Sequence, residues 1–145
     1  MLRVLCLCLA LAPGPARAWT FSPDPVCTLA HDDPAVRIVV IHDPGPGDYA
    51  ITLTLTGAVW PESPAFHITF QGPRSLTIGT GFHALSDDRR SLTVRDTGFG
   101  NVLNGLEFNA DALAFAGDRR VPFSLSGAAD PVRAFRACAR GLMLS

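Results

Sequence analysis

The chain contains no lysine; all twelve of its basic residues are arginine. That absence excludes the nucleotide phosphate loop, whose Gly-x-x-x-x-Gly-Lys-Ser/Thr pattern needs a lysine to meet the β- and γ-phosphates. Glutamate is scarce, with Glu62 and Glu107 the only two. No Gly-x-Ser-x-Gly segment marks an activated serine,. Gly98-Phe99-Gly100 begins like a dinucleotide fingerprint, but no third glycine follows at the right spacing. No βαβ pattern surrounds it either, so these glycines read as turn residues. No apolar stretch reaches the ~18 residues of a membrane-spanning helix.

What is present begins with an export pattern. Met1-Leu2-Arg3 supplies a short positive start, and Val4 to Ala12 is an uninterrupted apolar run of nine residues. As a helix it rises about 14 Å, against a hydrocarbon core of ~30 Å, so it suits a signal peptide and not a span. Pro13-Gly14-Pro15 breaks the run, and Ala16-Arg17-Ala18 presents small residues where a signal peptidase reads,. The expected cut lies between Ala18 and Trp19, leaving no membrane anchor. The competing reading of this stretch is a buried N-terminal helix. Cys6 and Cys8 lie inside the apolar run and leave with it.

The remaining 127 residues suit one domain, residues 19–140, followed by a short tail at 141–145,. Removing Arg3 and Arg17 leaves ten arginines against thirteen acids, a formal charge of −3. A weakly acidic chain argues against nucleic acid as a partner, because phosphate binding needs clustered positive charge. Two cysteines survive the cut, Cys27 and Cys138. In an oxidising compartment such a pair is most simply one disulfide, whereas a two-cysteine metal site lacks a nearby partner ligand. For a closed loop of this order, chain entropy gives about 4.7 kcal/mol.

Between the cysteines the apolar pattern has mostly period two. Val26 to His31 reads as a strand ending in a His31-Asp32-Asp33-Pro34 turn,. Val36 to Ile41 is β-branched and nearly all apolar, the pattern of a central strand buried on both faces,. Tyr49 to Thr56 alternates cleanly, with Tyr49, Ile51, Leu53 and Leu55 on one side,. Phe66, Ile68 and Phe70 repeat the pattern, and Leu76 and Ile78 make a shorter strand. Two hairpins follow, one around Asp87-Asp88-Arg89-Arg90 and one around Gly117-Asp118-Arg119-Arg120. The second is expected to turn Leu113, Phe115, Val121, Phe123 and Leu125 to the core. Between them, Gly98 to Phe108 suits a loop entering one or two helical turns with Val102, Leu103 and Leu106 inward,. Near the end the period becomes helical: Asp130 as N-cap, Pro131 at the first position, and Val132, Phe135 and Cys138 on one face. The fold class expected is mainly β, or α+β: an antiparallel sandwich or partly open barrel of about eight short strands, with a C-terminal helix packed on it.

Candidate chemistry is thin. The four histidines, His31, His42, His67 and His83, are dispersed, and His31-Asp32-Asp33 and His42-Asp43 read as solvated turns, not metal ligands,. The expectation is therefore no catalytic, cofactor-binding or metal residues and no cofactor. One loop stands out as a speculative contact site, Thr97 to Asn101, where Phe99 sits between two glycines and Asn101 follows,. For Phe99 itself the simpler reading is inward packing, with the glycines permitting the bend.

Three stretches, Trp19-Thr20-Phe21 with Pro25-Val26-Cys27, the block Asp96 to Asn109, and Pro131 to Cys138, together resemble a family of small exported proteins of Gram-negative bacteria. Members sometimes carry the label of the ATP-driven, DNA-binding component of the repair excinuclease ABC. The residues here contradict that label, since ATP-driven DNA repair needs a phosphate-loop lysine and a cytoplasmic chain. The resemblance implies a periplasmic or secreted domain and brings no functional residues with it. The leading functional expectation is a non-enzymatic binding module that engages a protein or envelope component through a loop or sheet edge. Alternatives are an inhibitor of a periplasmic hydrolase and a hydrolase of envelope polymers. The hydrolase would need two carboxylates, or a histidine and a carboxylate, converging in a cleft.

Overall fold

The strongest alternations become the centre of a β-sandwich. The computed structural model describes residues 18–141, so residues 1–17, which hold Cys6, Cys8 and all but the last residue of the expected signal peptide, and residues 142–145 lie outside the described residues. Ten strands form: β1 Thr20–Ser22, β2 Cys27–Asp32, β3 Val36–Asp43, β4 Asp48–Leu55, β5 Phe66–Gln71, β6 Leu76–Thr80, β7 His83–Leu85, β8 Ser91–Asp96, β9 Asp111–Ala116 and β10 Arg119–Ser124. The described residues also form two helices, α1 Gly100–Phe108 and α2 Ala129–Ala139. The strands make two wholly antiparallel sheets, β1-β2-β3-β4-β8-β7 and β10-β9-β5-β6, with no pairing between them. The architecture is a sandwich and not a closed barrel.

Inward side chains of both sheets meet in one core. Val36, Ile38 and Val40 of β3, Ile51, Leu53 and Leu55 of β4, and Phe66, Ile68 and Phe70 of β5 are all buried. Fully burying such side chains contributes roughly 1.5–3 kcal/mol each, so this core carries the fold. Trp60 belongs to the same core, its indole N–H donating to the Leu53 carbonyl at 3.0 Å. Leu92 is buried and Val94 packs against the same core, as the first hairpin's alternation predicts.

Several expectations are corrected. β3 is not buried on both faces: Arg37 is exposed and Val39 and Ile41 only half-buried, because no further layer covers the outside of the larger sheet. In β9 the face is reversed. Ala112, Ala114 and Ala116 point inward, while Leu113 and Phe115 point out. The register explains it: Ala114 lies between Ile68 and Val121, and Ala112 between Phe70 and Phe123, leaving space only for methyl groups. Outside, Phe115 stacks on His67 at 5.0 Å, with the Arg120 guanidinium 5.4 Å from its ring. Asp130 is not the cap of α2, which starts at Ala129 after buried Ala128 and has no side-chain cap. Asp130 instead pairs with Arg133 one turn on.

Both helices bury the apolar residues the sequence indicates, although α2 begins at Ala129 and Pro131 is its third residue, not its first. Val102, Leu103 and Leu106 of α1 and Val132 and Phe135 of α2 are buried. Glu107 receives Arg136 Nε at 2.9 Å, and Arg136 Nη2 also donates to Asn104, which ties α2 to α1. Cys138 is bonded to Cys27, which ties α2 to β2.

Candidate functional site

The larger sheet exceeds the smaller by two strands, so the sandwich has two sides to close. On the side of β1 and β10 the closure is built in. Trp19, 3% exposed, stacks on His31 at 4.7 Å and donates its indole N–H to the Ser124 carbonyl at 3.0 Å. Phe123 of β10 lies 6.5 Å from the same ring. The opposite side, between β6 and β8, is open.

There a groove of about 960 Å³ runs along β6. Its walls include Ile68, Ile78, Val94, Phe99 and Val102, and its polar lining includes Thr77, Thr80, Arg95, Asp96 and Asn101. At its edge, the connection from β6 to β7 carries Phe82, 91% exposed. This ring adds apolar surface at the edge of the apolar-walled groove. Arg95 is exposed and has no ion-pair partner among the described residues. Asp96 Oδ1 accepts the Thr97 amide at 2.7 Å.

The strand beside the groove is unusual among the four sheet edges. An exposed edge presents unpaired N–H and C=O groups, and proteins blunt it with charge, proline or brevity. β1 and β7 have three residues each. β10 carries Arg119, Arg120 and Pro122. β6, Leu-Thr-Ile-Gly-Thr, has five residues with neither charge nor proline, and it pairs only with β5. It is the one unguarded edge among the described strands.

The residues singled out from the sequence fall differently. Phe99 is not presented on the surface: it is 3% exposed, stacks on Tyr49 at 5.4 Å and forms groove wall, while Asn101 is exposed at the rim. His31 is not a solvated turn residue. It is 6% exposed, with both ring nitrogens unbonded and Asp33 Oδ2 at 3.5 Å, too far for a hydrogen bond,. The β2–β3 register puts His42 opposite Cys27 and His31 opposite Ile38, so the two His-Asp segments lie about 13 Å apart along the ladder,. Glu107 is held by Arg136, and Glu62 is exposed in a loop. Among the described residues no three His, Cys, Asp or Glu side chains gather as a metal site. The groove lining includes one carboxylate, Asp96, and no histidine.

Sequence reasoning missed Phe82. The signal was there, since Gly81-Phe82 repeats the glycine–phenylalanine pairing that drew attention to Phe99. Comparison with known proteins adds no analogy: no protein family, curated protein or solved structure matches the chain.

Proposed function

We propose that this protein is an exported, non-enzymatic interaction module of the periplasm, and that its working surface is the open side of the sandwich along β6. The observation that carries the reading is the conjunction of an unguarded strand edge, an apolar-walled groove and the exposed ring of Phe82. Export is supported by the leader pattern of Met1 to Ala18 and by the bond between two distant cysteines, a chemistry favoured outside the reducing cytoplasm,. The partner is a protein or an envelope component.

Photocrosslinking in intact cells tests this. A photoreactive residue replacing Phe82 in the full chain should give a discrete crosslinked product. The same residue replacing Thr54, on the outer face of the larger sheet, should give none. Equal products from both sites, or none from Phe82, would remove the reading. Phe82 on its short connection also suits a second role, inhibition of a periplasmic hydrolase by insertion of the ring into a cleft. That role predicts loss of lysozyme or protease activity on mixing, and recovery with Phe82→Ser.

A further inference from the structure

We infer that the groove is a vacant strand position, and that its occupant is an extended segment of a partner protein which adds to β6 as a fifth strand of the smaller sheet. This rests on the interaction reading above and specifies the chemistry of the partner.

The backbone of β6 decides between an extended peptide and other apolar occupants. An acyl chain would fill the groove but leave the outward N–H and C=O groups of β6 without partners. A strand satisfies both the edge and the groove. The span of β6, five residues, sets the length of the segment at about five residues. Its pleat sets the pattern. Leu76 and Ile78 are half-buried toward the core side, whereas Thr77 and Gly79 face out. Neighbouring residues on an added strand share these faces, so alternate side chains of the partner must be apolar and enter the groove.

The outward positions carry their own constraint. Gly79 has no side chain, and the His67 ring occupies the space: a Cβ on Gly79 would stand 2.7 Å from His67 Nε2. The row Arg120, Phe115, His67, Gly79 therefore leaves the imidazole beside the open edge. A polar side chain on the added strand fits there. Charge adds a further element. β6 bears none, so the paired stretch is neutral. The occupant is thus a neutral stretch of alternating apolar and polar residues.

The opposite side of the sandwich provides an internal precedent. There Trp19 leads into β1, which pairs with β2 while the indole inserts beside Phe123. Extended chain with an inserted side chain is how this fold closes its other side.

Selection from a library of random linear nonapeptides on the full exported protein provides the test. Enriched peptides should show apolar residues at alternate positions, and their amide shifts in the protein should map to Leu76–Thr80 and Val94–Asp96. N-methylation of one alternate set of peptide amides should abolish binding, and of the other set change it by less than about threefold. Phe82→Ser should weaken binding about tenfold. Phe82 lies almost wholly in water, so this variant retains the fold. Enrichment without period two, equal tolerance of both methylation sets, or binding of decanoate in place of peptide would overturn strand addition. So would failure to enrich any peptide, or self-association lost with Phe82→Ser. Crosslinks from Phe82 combined with any of these would leave the interaction reading standing, whereas their absence would remove both.

Discussion

Gly105 is the most informative single position for the packing that shapes the groove. It sits in α1, and a Cβ there would lie 2.6 Å from Phe70 Cγ, inside the ring's contact distance. Phe70 is 0% exposed, in the row that pairs with Ala112, so its ring has no solvent to retreat into. Replacing an interior helical glycine by alanine ordinarily gains about 1 kcal/mol. Overpacking a filled core costs typically 1–3 kcal/mol. For Gly105→Ala the second effect should win, giving a net loss of up to about 2 kcal/mol and pushing α1 off β5. Gly100, the first residue of the same helix, is the control, because nothing lies within 4 Å of its Cβ position. Gly100→Ala should therefore stabilise, by up to about 1 kcal/mol. Urea denaturation of both variants, compared at unchanged m-value, reads the two signs directly. A Gly105→Ala protein as stable as the Gly100→Ala protein would show that α1 does not press on Phe70. The groove wall, where Phe99 and Val102 stand at the start of that helix, would then lack the support ascribed to it.

Further predictions concern the bonds that hold the helices and one turn. Replacing Cys27 and Cys138 by serine should lower unfolding free energy by up to about 4.7 kcal/mol, measured by denaturant titration; intact mass should show two alkylations only after reduction. Glu107→Gln leaves Arg136 with a weaker acceptor at a site where the glutamate is 8% exposed. A loss of roughly 1–3 kcal/mol is expected, because hydrogen bonds to charged groups are the stronger kind, and faster hydrogen exchange in α2 would locate it. In the turn before β8, the Ser86 hydroxyl and the Arg90 amide both donate to Asp88, holding its carboxyl below the ordinary carboxylate range. A depressed folded pKa means that the turn's contribution is present above the unfolded value and is lost as pH falls through the folded one. The Arg90 amide resonance should accordingly shift in acid with a midpoint below 3.8.

The fold was legible where alternation was unambiguous in both spacing and size. β4 and β5 alternate large apolar with small or polar residues, so their core faces follow from the sequence alone. β9 reads Ala-Leu-Ala-Phe-Ala, apolar on both faces, and choosing the face requires knowing which neighbours already fill the core. Size complementarity with Ile68 and Phe70 on one strand and Val121 and Phe123 on the other selects the alanines, and that is a tertiary fact. β1 escaped notice because three residues carry no period. His31 escaped because its burial depends on the indole of Trp19, twelve positions earlier. The candidate site was half legible: the loop of Phe99 does border the groove, but as wall. The composition of β6 was open to reading, yet its significance comes from sheet order, which places Leu76–Thr80 at an edge. The pairing of Cys27 with Cys138 needed no sheet order, because they are the two cysteines beyond the expected signal peptide.

Residue-resolved hydrogen exchange of the free protein, and of the protein saturated with an enriched peptide, confronts the open edge most directly. Alternate amides of Leu76–Thr80, those turned away from β5, should exchange freely in the first state and slow at least about tenfold in the second. Thr52 and Thr54, on the far face of the larger sheet, should not change. Protection spread evenly over the domain, or confined to that far face, would contradict it.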